Sequence, residues 1–170
     1  MRVVSGQFRG RRLVSPEGRD TRPTTEKVRE AVFNALGALD LVDDAEVIDL
    51  YAGTGALGLE ALSRGAARCT FVENDRAALE ALRHNIDHLG VADRSRVVRG
   101  DALSAVGSLT GDLLLADPPY RVAPWEELLA STTADFVVAE APTEVAAPDG
   151  WEAVRARRYG RTWVTFLERK

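Results

Sequence analysis

The sequence predicts an α/β fold, a mostly parallel seven-stranded sheet with helices on both faces, and three observations predict it. Short apolar runs rich in β-branched residues alternate along the chain with runs of helical period. The run Val47–Leu50 leads directly into glycines at 53, 55 and 58, the G-x-G-x-x-G spacing that turns a strand into a helix. The last apolar stretch alternates on either side of Tyr159 and Gly160, as an antiparallel hairpin at a sheet edge does. With 170 residues and 45% hydrophobic content, the chain suits one sizeable core preceded by an extension.

Taken in order, Arg2–Val4 and Arg11–Val14 read as a small hairpin, which defines residues 1–20 as an N-terminal extension and 21–170 as the main domain. A hairpin of that size buries little by itself, so it leans on the main domain or on a partner. Arg2, Arg9, Arg11, Arg12 and Arg19 crowd it, with Phe8 near its turn. Arginine forks pair with phosphate and an exposed aromatic stacks on a base, so the extension is expected to bind nucleic acid.

A helical period follows, with Val28, Val32, Ala35, Leu36 and Leu39 on one face, Thr24 as N-cap and Glu26 in the first turn. This helix is expected to cover one side of a ligand pocket. Arg22 and Thr24 at its start either reach a ligand carboxylate or merely cap the helix. The core then reads as strand Val47–Leu50, helix Ala56–Arg64, strand Cys69–Glu73, helix Arg76–Leu89, and strands Arg96–Val98, Asp112–Ala116 and Phe136–Val138. The closing hairpin spans Trp151 to Glu168; its Arg155, Arg157, Arg158 and Arg161 suit solubility or edge protection as readily as binding.

Charge is segregated within a net −4: residues 1–30 carry +4, residues 31–150 carry −12 and residues 151–170 carry +4. An acidic middle suits a cationic ligand and basic ends suit a polyanion. The single cysteine, Cys69, lies in an apolar run and supports neither a disulfide framework nor a thiolate metal site. No apolar run resembles a signal peptide or approaches the roughly 18 residues of a membrane span, so a cytoplasmic location is expected, with no membrane partner.

In open α/β sheets ligands bind outside the carboxyl ends of the strands, and there Asp49, Ala52, Gly53, Thr54, Gly55, Glu73 with Asn74, and Asp101 with Ala102 fall together. A dinucleotide would bring an anionic pyrophosphate to a turn beside Asp49, where a carboxylate repels it. S-adenosylmethionine brings an ammonium and a sulfonium, so the charge favours the methyl donor. Glu73 is placed to hold ribose hydroxyls with either ligand. Asp101 is placed to accept from an adenine amino group, although a helix N-cap has the same appearance.

Asp117-Pro118-Pro119-Tyr120 is the sharpest signal. Two consecutive prolines end a central strand, so the chain turns rigidly and sets Asp117 and Tyr120 at the rim beside the glycine turn. The exocyclic amino group of a base is a poor nucleophile because its lone pair is delocalised into the ring. A carboxylate and a backbone carbonyl, that of Pro118, can accept its hydrogens, orient the lone pair and stabilise the charge that develops on nitrogen. Tyr120 can stack on the base once it has left its helix or loop. Alone, the tetrapeptide also reads as a rigid turn with a capping aspartate; the strand acids and glycines favour the chemical reading. His84 and His88 are four apart on one helix, but no third ligand accompanies them, and no metal is assigned.

These residues resemble the bacterial 16S ribosomal RNA guanine-N2 methyltransferases of the RsmD type. The likeness runs through Arg9–Leu13, Arg22–Thr24, Val28–Ala31, Asp49–Ala66, Asp117–Tyr120 and Tyr159–Thr162. The arginine-rich segment followed by Arg22-Pro23-Thr24 is the more discriminating part, since the glycine turn and Asp-Pro-Pro-Tyr recur in many amino-directed methyltransferases. The resemblance implies a Rossmann-like class I S-adenosylmethionine-dependent fold, with Asp49, Gly53, Gly55, Glu73 and Asp101 lining the donor site and Asp117 to Tyr120 holding the target base. It further implies guanine 966 of the small-subunit RNA as target, within an assembling subunit; separately, a monomer is expected. Tyr51 and Thr54 depart from the phenylalanine and serine expected there, and Thr54 bears on donor contacts. Competing readings are adenine-N6 methylation of RNA or DNA, a noncatalytic ribosome-binding module on the same fold, and a nicotinamide oxidoreductase, which Asp49 disfavours.

Overall fold

At the centre of the sheet, β1 (Glu46–Leu50) is flanked in parallel by β2 (Arg68–Glu73) and β4 (Leu113–Ala116). In this computed structural model, which describes residues 1–16, 25–122 and 124–170, the strand order is β3-β2-β1-β4-β5-β7-β6. Here β3 is Ser95–Arg99, β5 Phe136–Ala141, β6 Trp151–Tyr159 and β7 Thr162–Arg169. The chain winds outward from β1 to β3, then returns and winds the other way from β4. The crevice this reversal opens lies between the carboxyl ends of β1 and β4. The closing hairpin is antiparallel, with β7 against β5 and β6 at the edge.

Side-chain alternation in the buried strands sorts two cores onto the two faces. Val47, Phe71, Leu113, Leu115, Phe136 and Val138 pack against helices α1 (Thr25–Ala38), α2 (Ala56–Ser63) and α3 (Arg76–Leu89). Ile48, Leu50, Val72, Leu114, Val137 and Ala139 pack against α4 (Ala102–Val106) and α5 (Trp125–Ser131). Helices therefore cover both faces, as the alternation predicts. Val28, Val32 and Leu36 of α1 are buried, whereas Leu39, assigned to the same face, lies past the helix end at 52% exposure.

The two runs of the N-terminal extension pair antiparallel as its sequence suggests, over a short stretch: Val3 N–H donates to the Arg11 carbonyl, Gly10 N–H to the Val3 carbonyl and Leu13 N–H to the Met1 carbonyl. Residues 1–16 contain a single antiparallel bridge, Arg2 to Arg12, with Gly6 and Gly10 at positive φ between. Its remaining backbone groups are tied to α2: Val4 and Ser5 N–H groups donate to Glu60, and Phe8 N–H donates to Ser63 Oγ. Side-chain acceptors on the helix take the groups that a longer strand ladder would have used. Val3, Phe8 and Leu13 are buried in the core shared with α1 to α3. Among the described residues no helix is long and apolar enough to cross a membrane.

Candidate active site

β1 ends with an acid inside the core. Asp49 is 1% exposed, and its Oδ2 accepts the Gly58 N–H at 2.8 Å, near the start of α2. Burial pushes its carboxyl well above the ordinary value; the Gly58 N–H opposes that shift, and the nearby charges of Asp117 and Glu73 add to it. Asp49 thus feels the acids at the ends of the two neighbouring strands, Glu73 of β2 and Asp117 after β4, across the crevice. A cation brought among them relieves the repulsion.

The turn that follows is built from left-handed backbone. Tyr51 has φ 61°, Gly53 58° and Gly55 88°. Glycine accepts this readily, but a bulky residue does not, so Tyr51 stores strain of about 1–3 kcal/mol. The sequence alone marks Tyr51 only as a departure from phenylalanine. Its phenol is pushed up chiefly by burial, with the charges of Asp101 and Glu127 adding to the shift.

The glycines divide by what surrounds them. A Cβ on Gly58 would sit 2.4 Å from Phe71, 2.6 Å from Cys69 Sγ and 3.0 Å from Asp49, and one on Gly55 would sit 2.4 Å from Leu82. These two glycines let α2 press against β1, β2 and α3. A Cβ on Gly53 would meet nothing within 4 Å, so the turn is open on that side. Thr54 and Ala52 complete the turn: the Thr54 carbonyl accepts from Asn85, and the Ala52 N–H donates to the Val72 carbonyl.

Glu73 at the end of β2 is already oriented. Its Oε2 accepts the Gly53 N–H at 2.7 Å, and its Oε1 accepts the Asn74 and Asp75 N–H groups at 3.0 and 2.9 Å. Of about four lone-pair sites on a carboxylate, one on Oε2 remains for a ligand hydroxyl. Asp101 caps α4, its Oδ2 accepting from Ser104 N and Oγ, and Ala102 begins that helix. The cap and the ligand-binding reading of Asp101 coexist, because the side chain is exposed. This donor set fits S-adenosylmethionine: buried and half-buried carboxylates for the cation, a pre-oriented acceptor for a ribose hydroxyl, and a turn open at Gly53.

Beyond β4 the chain turns at Asp117, which is half-buried; Pro118 is buried, and Pro119 and Tyr120 are exposed. Tyr120 is anchored from afar, its Oη lying 2.9 Å from Thr162 Oγ1 at the start of β7. Beside Pro118 and Tyr120 a cleft of about 190 Å³ opens, lined also by Trp125 of α5, Glu140 of β5 and Pro142 and Val145 beyond it. Glu140 is 9% exposed. Sequence reasoning passes over it because it lies in an otherwise apolar strand with no motif around it.

The expected nucleic-acid residues are divided by the fold. Arg2, Arg9, Arg11 and Arg12 are exposed on the extension, and Arg11 donates to the His88 carbonyl at 2.6 Å. Phe8 is buried beneath them, at 8% exposure, so its ring belongs to the core and is not presented to a base. Arg19, Arg22 and Thr24 lie outside the described residues. His84 and His88 stack on the exposed face of α3 with centroids 6.2 Å apart, and among the described residues no group of His, Cys, Asp and Glu is placed to hold a metal.

Comparison with known proteins extends this picture. The family model described as conserved hypothetical protein 95 matches residues 1–168. YlbH of Bacillus subtilis (strain 168) is 36% identical over 100% of both chains. Ribosomal RNA small subunit methyltransferase D of Escherichia coli (strain K12) is 43% identical over 76% of this chain and 65% of its own length. The solved structure of yhhF from Escherichia coli superposes with a TM-score of 0.87 at 36% identity, covering 100% of this chain and 98% of that one. A match to the family model across nearly every residue, with YlbH 36% identical over its full length, means that the chain belongs to the RsmD-type family described as conserved hypothetical protein 95.

Proposed function

We propose that this protein transfers a methyl group from S-adenosylmethionine to the exocyclic N2 of a guanine in 16S ribosomal RNA. The family resemblance points to guanine 966, met in an assembling small subunit by a monomeric, cytoplasmic enzyme. One observation carries the reading: Asp117 to Tyr120 leave β4 at the sheet's reversal point, close enough to the β1 turn for Asp117 to raise the Asp49 carboxyl. The name of the Escherichia coli relative supports ribosomal RNA of the small subunit as the substrate class.

S-adenosylmethionine supplies an electrophilic methyl on a sulfonium. Asp49, Gly53, Gly55, Glu73 and Asp101 hold it from the ends of β1, β2 and β3, with Ala52, Thr54, Asn74 and Ala102 supplying adjoining backbone. Asp117 and the Pro118 carbonyl accept the amino hydrogens, which turns the nitrogen lone pair towards the crevice. As N2 took the methyl carbon, the carbon–sulfur bond would break, S-adenosylhomocysteine would be left, and positive charge would appear on N2. The Asp117 carboxylate stabilises that charge and takes the proton that N2 gives up. Tyr120 stacks on the base, its hydroxyl steadied by Thr162. Alignment of nucleophile and methyl within one rigid crevice is the main source of rate. Exposed Arg9, Arg11 and Arg12 meet the RNA backbone.

The test is transfer of labelled methyl to small subunits lacking their natural methylation, followed by nucleoside analysis. N2-methylguanosine at one position is expected, and N6-methyladenosine would overturn the acceptor assignment. Donor binding without transfer to subunits or free RNA would favour a noncatalytic module. Asp117→Ala is expected to retain donor binding and lose about 10²- to 10³-fold in kcat.

A further inference from the structure

The closing hairpin carries arginines that the reaction as derived above does not use, and sheet register brings them to the catalytic end. β7 runs antiparallel to β5, with Trp163 opposite Ala141, the last residue of β5. The turn at Gly160 and Arg161 therefore projects past the same strand ends that form the crevice. The hydrogen bond between Tyr120 Oη and Thr162 Oγ1 joins that turn to the reacting tetrapeptide, and Arg121 and Arg161, one on each side of the bond, are both exposed.

Arg157 extends this group. It pairs with Val164, and Tyr159 pairs with Thr162 two residues along, so strand alternation puts Arg157 on the sheet face of Tyr159 and Thr162. Arg157 is exposed, and among the described residues none of Arg121, Arg157 and Arg161 is in an ion pair. Arg158 has a different task, its Nε donating to the Gly160 carbonyl at 2.8 Å across the turn.

An RNA that enters the crevice meets a negative field. Residues 31–150 carry −12, with Asp49, Glu73 and Asp117 at adjacent strand ends. Phosphates on either side of the target nucleotide are repelled there unless cations stand beside it. The turn of the extension is held elsewhere: the Gln7 and Phe8 N–H groups donate to Ser63, the last residue of α2, and Arg11 donates to the His88 carbonyl near the end of α3. The 8 residues of α2 rise about 12 Å from the glycine turn. Arg9 and Arg11 therefore meet RNA at a distance from the reacting base, whereas the arginines around Thr162 stand next to it.

We propose that Arg121, Arg157 and Arg161 clamp the RNA backbone beside the target nucleotide, forming a second RNA-binding surface on the β5–β7 side of the crevice. Guanidinium forks match phosphate oxygens, and these three have no carboxylate to compete for them. The inference rests on the ribosomal RNA reading above and adds to it the surface that brings a polyanion to an acidic site.

The experiment measures binding of small subunits lacking their natural methylation, and of protein-free 16S RNA, over a range of salt concentrations. In the double variant Arg157→Gln, Arg161→Gln the slope of log K against log salt should flatten by about 0.7–0.9 for each phosphate released, with both ligands. KM for RNA should rise while S-adenosylhomocysteine binding and Tm stay at their wild-type values. Arg121→Gln, on a separate segment, should flatten the slope by one such step. The double variant Arg68→Gln, Arg96→Gln removes the same charge near the amino ends of β2 and β3, away from the crevice, and should leave the slope unchanged. An unaltered slope in the hairpin variant overturns the proposal. So does an equal change in the Arg68, Arg96 variant, which would report net charge alone. A change seen with subunits and not with protein-free RNA would assign the surface to a ribosomal protein and overturn it as well. Each of these failures leaves N2-methylguanosine formation by the wild type intact, whereas absence of that product would reject the guanine-N2 reading itself.

Discussion

Tyr120 Oη and Thr162 Oγ1 lie 2.9 Å apart, which fastens the reacting tetrapeptide after β4 to the first residue of β7. The closing hairpin therefore does more than finish the sheet. It holds the ring that is to lie against a base, and with it comes the exposed Arg161 next to Thr162. The hydrogen bond joins two segments that the resemblance to the RsmD type singles out separately.

Thr162→Val keeps the shape of the side chain and removes its hydroxyl. One hydrogen bond contributes about 0.5–1.5 kcal/mol, so kcat/KM for RNA should fall about 2- to 12-fold while donor affinity stays constant. Tyr120→Phe should match it, and the double variant should be no worse than either. Additive losses in that cycle would show that the two hydroxyls act independently.

Asp49 predicts an unusual pH dependence. Its carboxyl is raised above 3.8, chiefly by burial, so the folded state holds this proton more tightly than the unfolded chain. Stability from this group is therefore highest at low pH and declines as pH rises from about 3.8 through the raised value. Asp49→Asn keeps an acceptor for the Gly58 N–H and removes that decline, so its Tm at neutral pH should exceed the wild type's. The same change should weaken S-adenosylmethionine binding, because the carboxylate that faces the cation is gone. Calorimetric titration of the wild type and the variant reads that loss, and equal affinities would contradict the assignment.

Glu60 is the hub that joins the extension to the body. Fully buried, it accepts from Val4 N, Ser5 N, Arg29 Nε and Arg64 Nε, and Arg29, itself 2% exposed, also donates to the Arg2 carbonyl. Glu60→Ala leaves a buried guanidinium without its partner, which should cost about 3–5 kcal/mol of stability in urea unfolding. Limited proteolysis should then cut within residues 1–16 before the core. An unfolding midpoint equal to the wild type's would remove Glu60 from this role.

The extension also predicts salt dependence. Arg9 and Arg12 are exposed, while Arg11 is fastened to α3 through the His88 carbonyl. Changing Arg9 and Arg12 together to glutamine should flatten the slope of log K against log salt for RNA by about 0.7–0.9 for each phosphate that is no longer neutralised. Thermal stability should not change. An unaltered slope would move the RNA-binding surface off the extension, with Arg158 and Arg161 on the closing hairpin next to be tested.

What can be read from the sequence is local or periodic. Burial on both faces makes β4 a continuous apolar run and β1 and β5 apolar but for their acids, the 3.6 period marks α3 from Arg76 to Leu89, and glycine spacing marks the turn after β1. The two prolines after Asp117 stop β4 by covalent geometry alone. Asp49, Glu73 and Asp117 are therefore legible as strand-end acids without any knowledge of the fold.

Tertiary structure decided whatever depended on which residues meet. Phe8 belongs to the core because α2 offers Ser63 and Glu60 to the backbone around it, and no local pattern distinguishes a buried aromatic from a stacking one. Tyr51 adopts left-handed backbone because the chain must turn there to reach Gly53, at a position the glycine spacing leaves to an ordinary residue. Glu140 comes to stand beside Asp117 through strand register, and Tyr120 reaches Thr162 through the return of β7 against β5. Spacing within a segment is set by bond geometry and so is written in the sequence; the meeting of distant segments is set by packing the whole sheet at once.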